Sequence, residues 1–435
     1  ALFAYDASSP LIFSSGLFLF LFAGFLLVYS AFRRAPMARI VYVIAFSLYF
    51  YYKSSGIYFL LLVFAAASDF LIARGIYRAR FRWTKRWLVV LSVAVNLGML
   101  GYFKYTNFLI DISNQLFGQG FLQFQNIFLP VGISFFVFQS MSYTIDIYRG
   151  QLKPLSNWLD YLFYLSFFPQ LVAGPIVRAR DFIPQIRQNP VVVTREMFGT
   201  GVFLILTGLF KKAIISDYIS LNFVDRIFDE PLLYSGFECL MGIYGYALQI
   251  YCDFSGYSDM AIGIALLLGF RFPKNFDAPY KSATITEFWR RWHISLSTWF
   301  RDYVYIPLGG NRCSRARNIL NLFLVWALTG LWHGANWTFL LWGVINGVFV
   351  VAERYVRNKK WYQRIPSVVK WAFTMAGGYF VWIMFMASDV SDAFSTYAAL
   401  FAASPAVNFT WRYFLTRKLA VLLVIAALGS VAGAL

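Results

Sequence analysis

Residues 271–335 read RFPKNFDAPYKSATITEFWRRWHISLSTWFRDYVYIPLGGNRCSRARNILNLFLVWALTGLWHGA, and the rest of the chain is read outward from this stretch. It carries both histidines of the protein, His293 and His333. Between Arg271 and Arg317 it holds nine basic residues against three acids, Asp277, Glu287 and Asp302. Long apolar runs flank it. In so apolar a chain, a block of charge, Trp and His must sit at a membrane surface or line a wet cavity, because charge in hydrocarbon is costly. The chemistry is expected here.

The composition sets the class. Over 435 residues the chain is 60% hydrophobic, 21% aromatic and 13% charged. Soluble domains carry about 25% charge, so this balance predicts an all-α polytopic integral membrane protein. The net charge of +18 follows from Lys- and Arg-rich cytoplasmic loops, and no nucleic-acid partner is expected. Cys239, Cys252 and Cys313 are scattered without C-x-x-C spacing, which predicts neither a disulfide framework nor a zinc site.

Basic runs punctuate the apolar ones. Leu11–Phe32 reads as a first span, not a cleavable signal, because ALFAYDASSP before it lacks a basic region. Arg33, Arg34 and Arg39 place its far end in the cytoplasm. Ile40–Tyr52 and Gly56–Ile72 form the next pair, and the six basic residues of Arg74–Arg86 return to the cytoplasmic side. Trp87–Ile110 and Phe121–Ile147 follow, with Asp146 and Arg149 spaced to pair on one helical turn. Trp158–Ile176 contains FFPQLVAGPIV and reads as a broken or re-entrant helix. Phe198–Ile219 carries Lys211 and Lys212; Leu232–Phe254 and Met260–Phe270 are joined by YCDFSGYSDM. Ile319–Leu331, Trp337–Val351, Trp371–Ala387 and Leu419–Leu435 complete the runs, with a basic loop at Arg354–Lys370. The expectation is about ten to twelve membrane helices plus re-entrant or interfacial pieces, in one domain spanning the whole chain, with 271–317 as a basic interfacial segment.

His333 lies at the end of an apolar helix in TGLWHGANW, where Gly330 and Gly334 let a backbone or substrate come close. An ionisable residue there is a functional candidate. The bland alternative is a membrane-interface histidine satisfied by a carbonyl. His293 lies in EFWRRWHISLSTWF, which reads as one amphipathic interfacial helix with Thr286 as N-cap and a Glu287–Arg291 pair. With no metal-ligand set and no Ser-His-Asp spacing, the simplest role for such an imidazole is general base on a hydroxyl, and the basic, aromatic surroundings suit an anionic acyl carrier. Two other classes stay open. A transporter or flippase would use His333, Asp253 and Lys211 as a proton path, and a scaffold would need neither histidine.

The longer motifs narrow this. DFSGYSDMAIG, KNFDAPY, TEFWRRWHISLSTWFRDYVYIPLGGNR and GLWHGANWTFLLWG resemble the membrane-bound O-acyltransferase (MBOAT) family. They resemble most its branch of bacterial alginate and peptidoglycan O-acetyltransferase membrane subunits. GYFKYTNF, LPVGISFFVFQSMSYTIDIYRG and FFPQLVAGPIVRARDF fit the same branch upstream, and the likeness runs to about Glu353. One departure is VWIMFMASD, where Met386 stands at a position relatives fill with Arg. The resemblance implies helices around a central tunnel in the inner membrane, where a cytoplasmic thioester, most simply acetyl-CoA, meets an extracytoplasmic hydroxyl. His333 and His293 take the family's two histidine positions, with His333 activating the acceptor and His293 positioning or polarising the donor. Asn275, Trp289, Arg290, Arg291 and Arg301 are expected to shape the donor site. The resemblance also implies a periplasmic SGNH-hydrolase-like acetyltransferase as partner, with membrane lipids around the body and no bound cofactor. D-alanyl transfer to teichoic acid by the same fold is the alternative.

Overall fold

Away from water every backbone amide and carbonyl needs a partner within the chain, so uninterrupted apolar runs become helices. The protein is described by a computed structural model covering residues 4–401 except Ser8, with Val421, Val424, Ile425 and Gly429. Among these residues the regular structure is helical, with no strand. Five stretches are long and apolar enough to cross a membrane: Pro36–Arg78, Arg82–Phe117, Arg195–Asp229, Trp337–Val356 and Ser367–Met386. The first of these is two helices parted at Gly56, whose φ of 61° ends the first. The expected run Leu419–Leu435 lies almost wholly outside the described residues.

In chain order the elements that matter here are α1 (Gly16–Ala31), α2 (Pro36–Ser55), α3 (Phe59–Arg78), α4 (Arg82–Leu100), α5 (Thr106–Phe117), α6 (Ile133–Tyr148), α7 (Trp158–Ser166), α8 (Ala179–Ile186), α9 (Arg195–Leu209) and α10 (Gly236–Leu267). Then come α11 (Ile285–Arg291), α12 (Ile294–Phe300), α13 (Arg315–His333), α14 (Trp337–Val356), α15 (Ser367–Met386) and α16 (Val390–Phe401).

Two boundaries differ from the sequence reading. Leu232–Phe254 and Met260–Phe270 are not separate spans, since α10 runs unbroken through YCDFSGYSDM. Its glycines read as a turn signal, but Gly256 and Gly263 serve packing instead: a Cβ on either would meet a carbonyl oxygen, that of Gly208 at 2.8 Å or of Gly201 at 2.5 Å. Phe121–Ile147 is helical only from Ile133, because Pro130 and Gly132 (φ 75°) precede the first turn.

The chain forms two compact units. One comprises Ala1–Leu206 with Ser258–Pro273. Its interior holds a polar cluster in which Asp69 of α3 accepts hydrogen bonds from Ser92 (2.6 Å) and Asn96 (2.7 Å) of α4 and from Ser140 of α6. With its carboxylate fully hydrogen-bonded, the cluster ties three helices together at an otherwise apolar depth. The stretch 158–178 is broken as its prolines predict: α7 stops at Phe167, one turn follows at Phe168–Leu171, and residues 172–178 are irregular.

The other unit comprises Thr207–Tyr257 with Lys274–Leu435. It is built on aromatic contacts, with Trp289, Trp326, Trp342 and Trp382 packed edge to face, and Trp342 stacked on Trp382, at centroid separations of 4.9–6.5 Å. Such pairs add to the area they bury. The π-helical turn Phe210–Ser216 carries Lys212, which bridges Asp217 (2.7 Å) and Asp253 (3.1 Å). Asp253 therefore serves as an ion-pair partner between segments.

Candidate active site

The site begins with a break in a helix. Thr284, not Thr286, caps α11: its Oγ accepts from the Glu287 amide (3.1 Å), and Glu287 Oε2 accepts from the Ala283 amide (3.0 Å). Thr286 instead donates its amide to the buried carboxylate of Glu353 on α14 (2.9 Å). The expected Glu287–Arg291 pair forms at 2.8 Å. EFWRRWHISLSTWF is two short helices, however, because His293 adopts φ 43°, ψ 57° between them. A side-chain-bearing residue seldom takes this left-handed conformation, and where the surroundings enforce it the strain tends to mark function.

Asn275 enforces it. Its carbonyl accepts from the Ile294 amide (2.9 Å), immediately after the strained residue. Its side-chain oxygen accepts from the Ser295 amide (3.2 Å) and hydroxyl (2.8 Å) and faces His293 Nδ1 at 3.2 Å. A backbone N–H can only donate, so the Asn275 atom facing it is the amide oxygen and not the nitrogen. An oxygen that can only accept requires the proton of a neutral His293 on Nδ1, which leaves Nε2 with its lone pair. His293 lies between spans, is 2% exposed, and burial followed by the proximity of His333 pushes its pKa well below the ordinary value. The neutral form prevails at physiological pH.

His333 comes from the C-terminal end of α13. Trp332, Trp342 and Phe385 present edges or faces to its ring at 5.0, 5.1 and 5.1 Å. Gly330, one turn back, allows α13 and α14 to touch: a Cβ there would lie 2.2 Å from the Phe339 carbonyl oxygen. The close approach anticipated at Gly330 is thus to a backbone. At Gly334 the neighbour is the Phe339 ring.

Both histidines line one cavity of about 180 Å³, with Trp289, Trp326, Arg301 and Thr329 among its walls. Trp289 is held there by a hydrogen bond to Asn346 (3.2 Å), and Arg301 by its pair with Asp302 (2.6 Å). Asn275 stands behind His293, fully buried. Arg290 and Arg291 do not line the cavity; Arg290 is exposed and Arg291 is engaged with Glu287 and the Asp277 carbonyl. The sequence reading missed Ser295 and the α13 wall. That wall had a signal: Leu322, Val325, Thr329 and His333 recur at helical spacing, so all face one way. The site therefore belongs to a helical, membrane-embedded protein with two imidazoles on a small, largely apolar chamber of aromatic and aliphatic side chains.

The profile of the membrane-bound O-acyltransferase family matches residues 148–398. Residue for residue, the chain is 40% identical over 399 positions to the probable alginate O-acetylase AlgI of Pseudomonas aeruginosa, covering 90% of this chain and 75% of that one. It is 35% identical over 414 positions to the peptidoglycan O-acetyltransferase of Helicobacter pylori, covering 88% and 78%. The teichoic acid D-alanyltransferase of Bacillus subtilis is 30% identical over 260 positions, 56% of this chain and 63% of its own. The chain belongs to the MBOAT family and is a multi-pass membrane O-acyltransferase.

Proposed function

We propose that this O-acyltransferase moves an acetyl group from a cytoplasmic thioester, acetyl-CoA, to a hydroxyl of an extracytoplasmic polysaccharide such as alginate or peptidoglycan, directly or through a periplasmic partner. The observation that carries this reading is the shared cavity of His293 and His333. His333 accepts the proton of the attacking hydroxyl as its oxygen adds to the thioester carbonyl. The carbon–sulfur bond then breaks, and the thiolate leaves with the proton from the imidazolium, so that atoms and charge balance. His293 was expected either to position or to polarise the donor. A neutral ring with Nδ1 bound to Asn275 offers a lone pair and no N–H at Nε2, which favours positioning. Trp289 and Arg301 shape the donor side.

The acetyl reading is supported by the higher identity and coverage of the two O-acetylating relatives, and by a chamber suited to a short acyl group. The alternation of basic loops supports an inner-membrane setting with those loops in the cytoplasm. Membrane vesicles of both orientations, given labelled acetyl-CoA outside, test the assignment. Donor consumption by inverted vesicles alone, with label on polysaccharide and not on teichoic acid, is the expected result. Equal use by right-side-out vesicles would refute the cytoplasmic donor, and D-alanyl transfer in place of acetyl would refute the acetyl assignment.

A further inference from the structure

Far along the sequence from the histidines, the first unit contains a groove of about 410 Å³. Its floor and sides are apolar, from Leu26 and Tyr29 of α1, Phe198 of α9 and Leu267 of α10. Two arginines, Arg33 and Arg195, and two hydroxyls, Ser30 and Thr194, also line it. All four are exposed. Neither guanidinium has a carboxylate within ion-pairing distance among the described residues.

The groove is held in shape by buried contacts. Arg39, fully buried at the start of α2, donates to the carbonyls of Ile186 (3.1 Å), Gln188 (2.6 Å) and Arg33 (3.4 Å). The Val191 amide donates to the same Arg33 carbonyl at 3.3 Å. Tyr29 reaches across to the Leu268 carbonyl (2.7 Å), and Gly269 (φ 85°) admits the Val191 side chain, whose Cγ1 would lie 2.3 Å from a Cβ. The end of α1, the loop before α9 and the end of α10 are thereby fixed around one concavity.

A soluble anion would be served by the cations alone; the apolar wall below them would go unused. A phosphate head carrying acyl chains uses both. The positive-inside alternation places Arg33 and Arg195 on the cytoplasmic side, where anionic lipids concentrate and each juxtamembrane cation contributes about 1 kcal/mol to lipid attraction. Thr194 caps α9, its Oγ accepting from the Met197 amide (3.1 Å), so the positive end of that helix dipole also faces this end of the groove. We propose that this groove binds one anionic phospholipid, its phosphate between Arg33 and Arg195 and a chain along Leu26 and Phe198.

Native mass spectrometry of the full chain in detergent, titrated with chain-matched phosphatidylglycerol or phosphatidylethanolamine, tests this. The Arg33→Gln/Arg195→Gln double variant should lose phosphatidylglycerol affinity by roughly 30-fold, with phosphatidylethanolamine, whose ammonium offsets its phosphate charge, falling several-fold less. The Arg33→Lys/Arg195→Lys variant should retain most of it. Unchanged phosphatidylglycerol binding in the glutamine variant would overturn the site. Displacement of the lipid by millimolar inorganic phosphate would likewise overturn it, making this a site for the free anion. Because both arginines are exposed and pair with no carboxylate, the variants should keep the parent's melting temperature, and a fall in binding of both lipids alike would count against the proposal.

Discussion

At the scale of single residues, the account turns on Asn275. The sequence suggested it as part of the donor site; the structure buries it and sets it against His293, where its one acceptor atom selects the imidazole tautomer. A carboxylate in its place would keep every acceptor role and add a negative charge. An adjacent opposite charge raises a histidine pKa by about one to three units, against the downward push of burial. The lone pair on Nε2 is lost as pH falls through the folded-state pKa. In Asn275→Asp the acid limb of kcat/KM should therefore move to higher pH, while the alkaline side stays put. A limb that stays still or moves down would show that His293 does not work through this contact. Neither the tautomer nor the left-handed backbone could be read from the chain, since both come from a residue 18 positions upstream meeting His293 in space. That the two histidines were the candidates to examine was legible, because their scarcity and the WHG and WRRWH settings single them out, and the structure brings both to one cavity.

At the scale of elements, α13 and α14 position His333 by touching without side chains between them. A Cβ on Gly343 would lie 2.3 Å from the Trp326 carbonyl oxygen, and one on Gly330 is equally obstructed. Small residues at such crossings are what allow helices to approach closely in a membrane. Gly343→Ala and Gly330→Ala should each destabilise the protein by about 1–3 kcal/mol, the usual cost of overpacking. Thermal unfolding in detergent reads this, and a melting temperature equal to the parent's would contradict the packing described. Helix existence was largely legible at this scale, as was the proline-marked break at 158–178, but the places where glycine does or does not end a helix were not. Glycine is the reason: in YCDFSGYSDM it serves close packing inside α10, in LPVG it ends an irregular stretch, and the residue type alone does not separate the two. The Thr284 cap sat two residues from the expected one because Thr286 has the same chemistry and only Glu353, 67 residues on, draws its amide away.

At the scale of the molecule, membership of the MBOAT family and the 40% identity to an alginate O-acetylase agree with what composition, basic loops and paired histidines imply. The central claim is that His293 and His333 act as one unit on an acyl thioester and a hydroxyl. Groups that act together are strongly non-additive on removal. The most direct test is single-turnover transfer of labelled acetyl by the purified chain in nanodiscs, comparing the parent, His333→Ala, His293→Ala and the double variant at equal folded protein. Each single variant should lose about 10²–10⁴-fold, and the double variant little more than the worse single. Transfer by His333→Ala at the parent's rate would contradict the account.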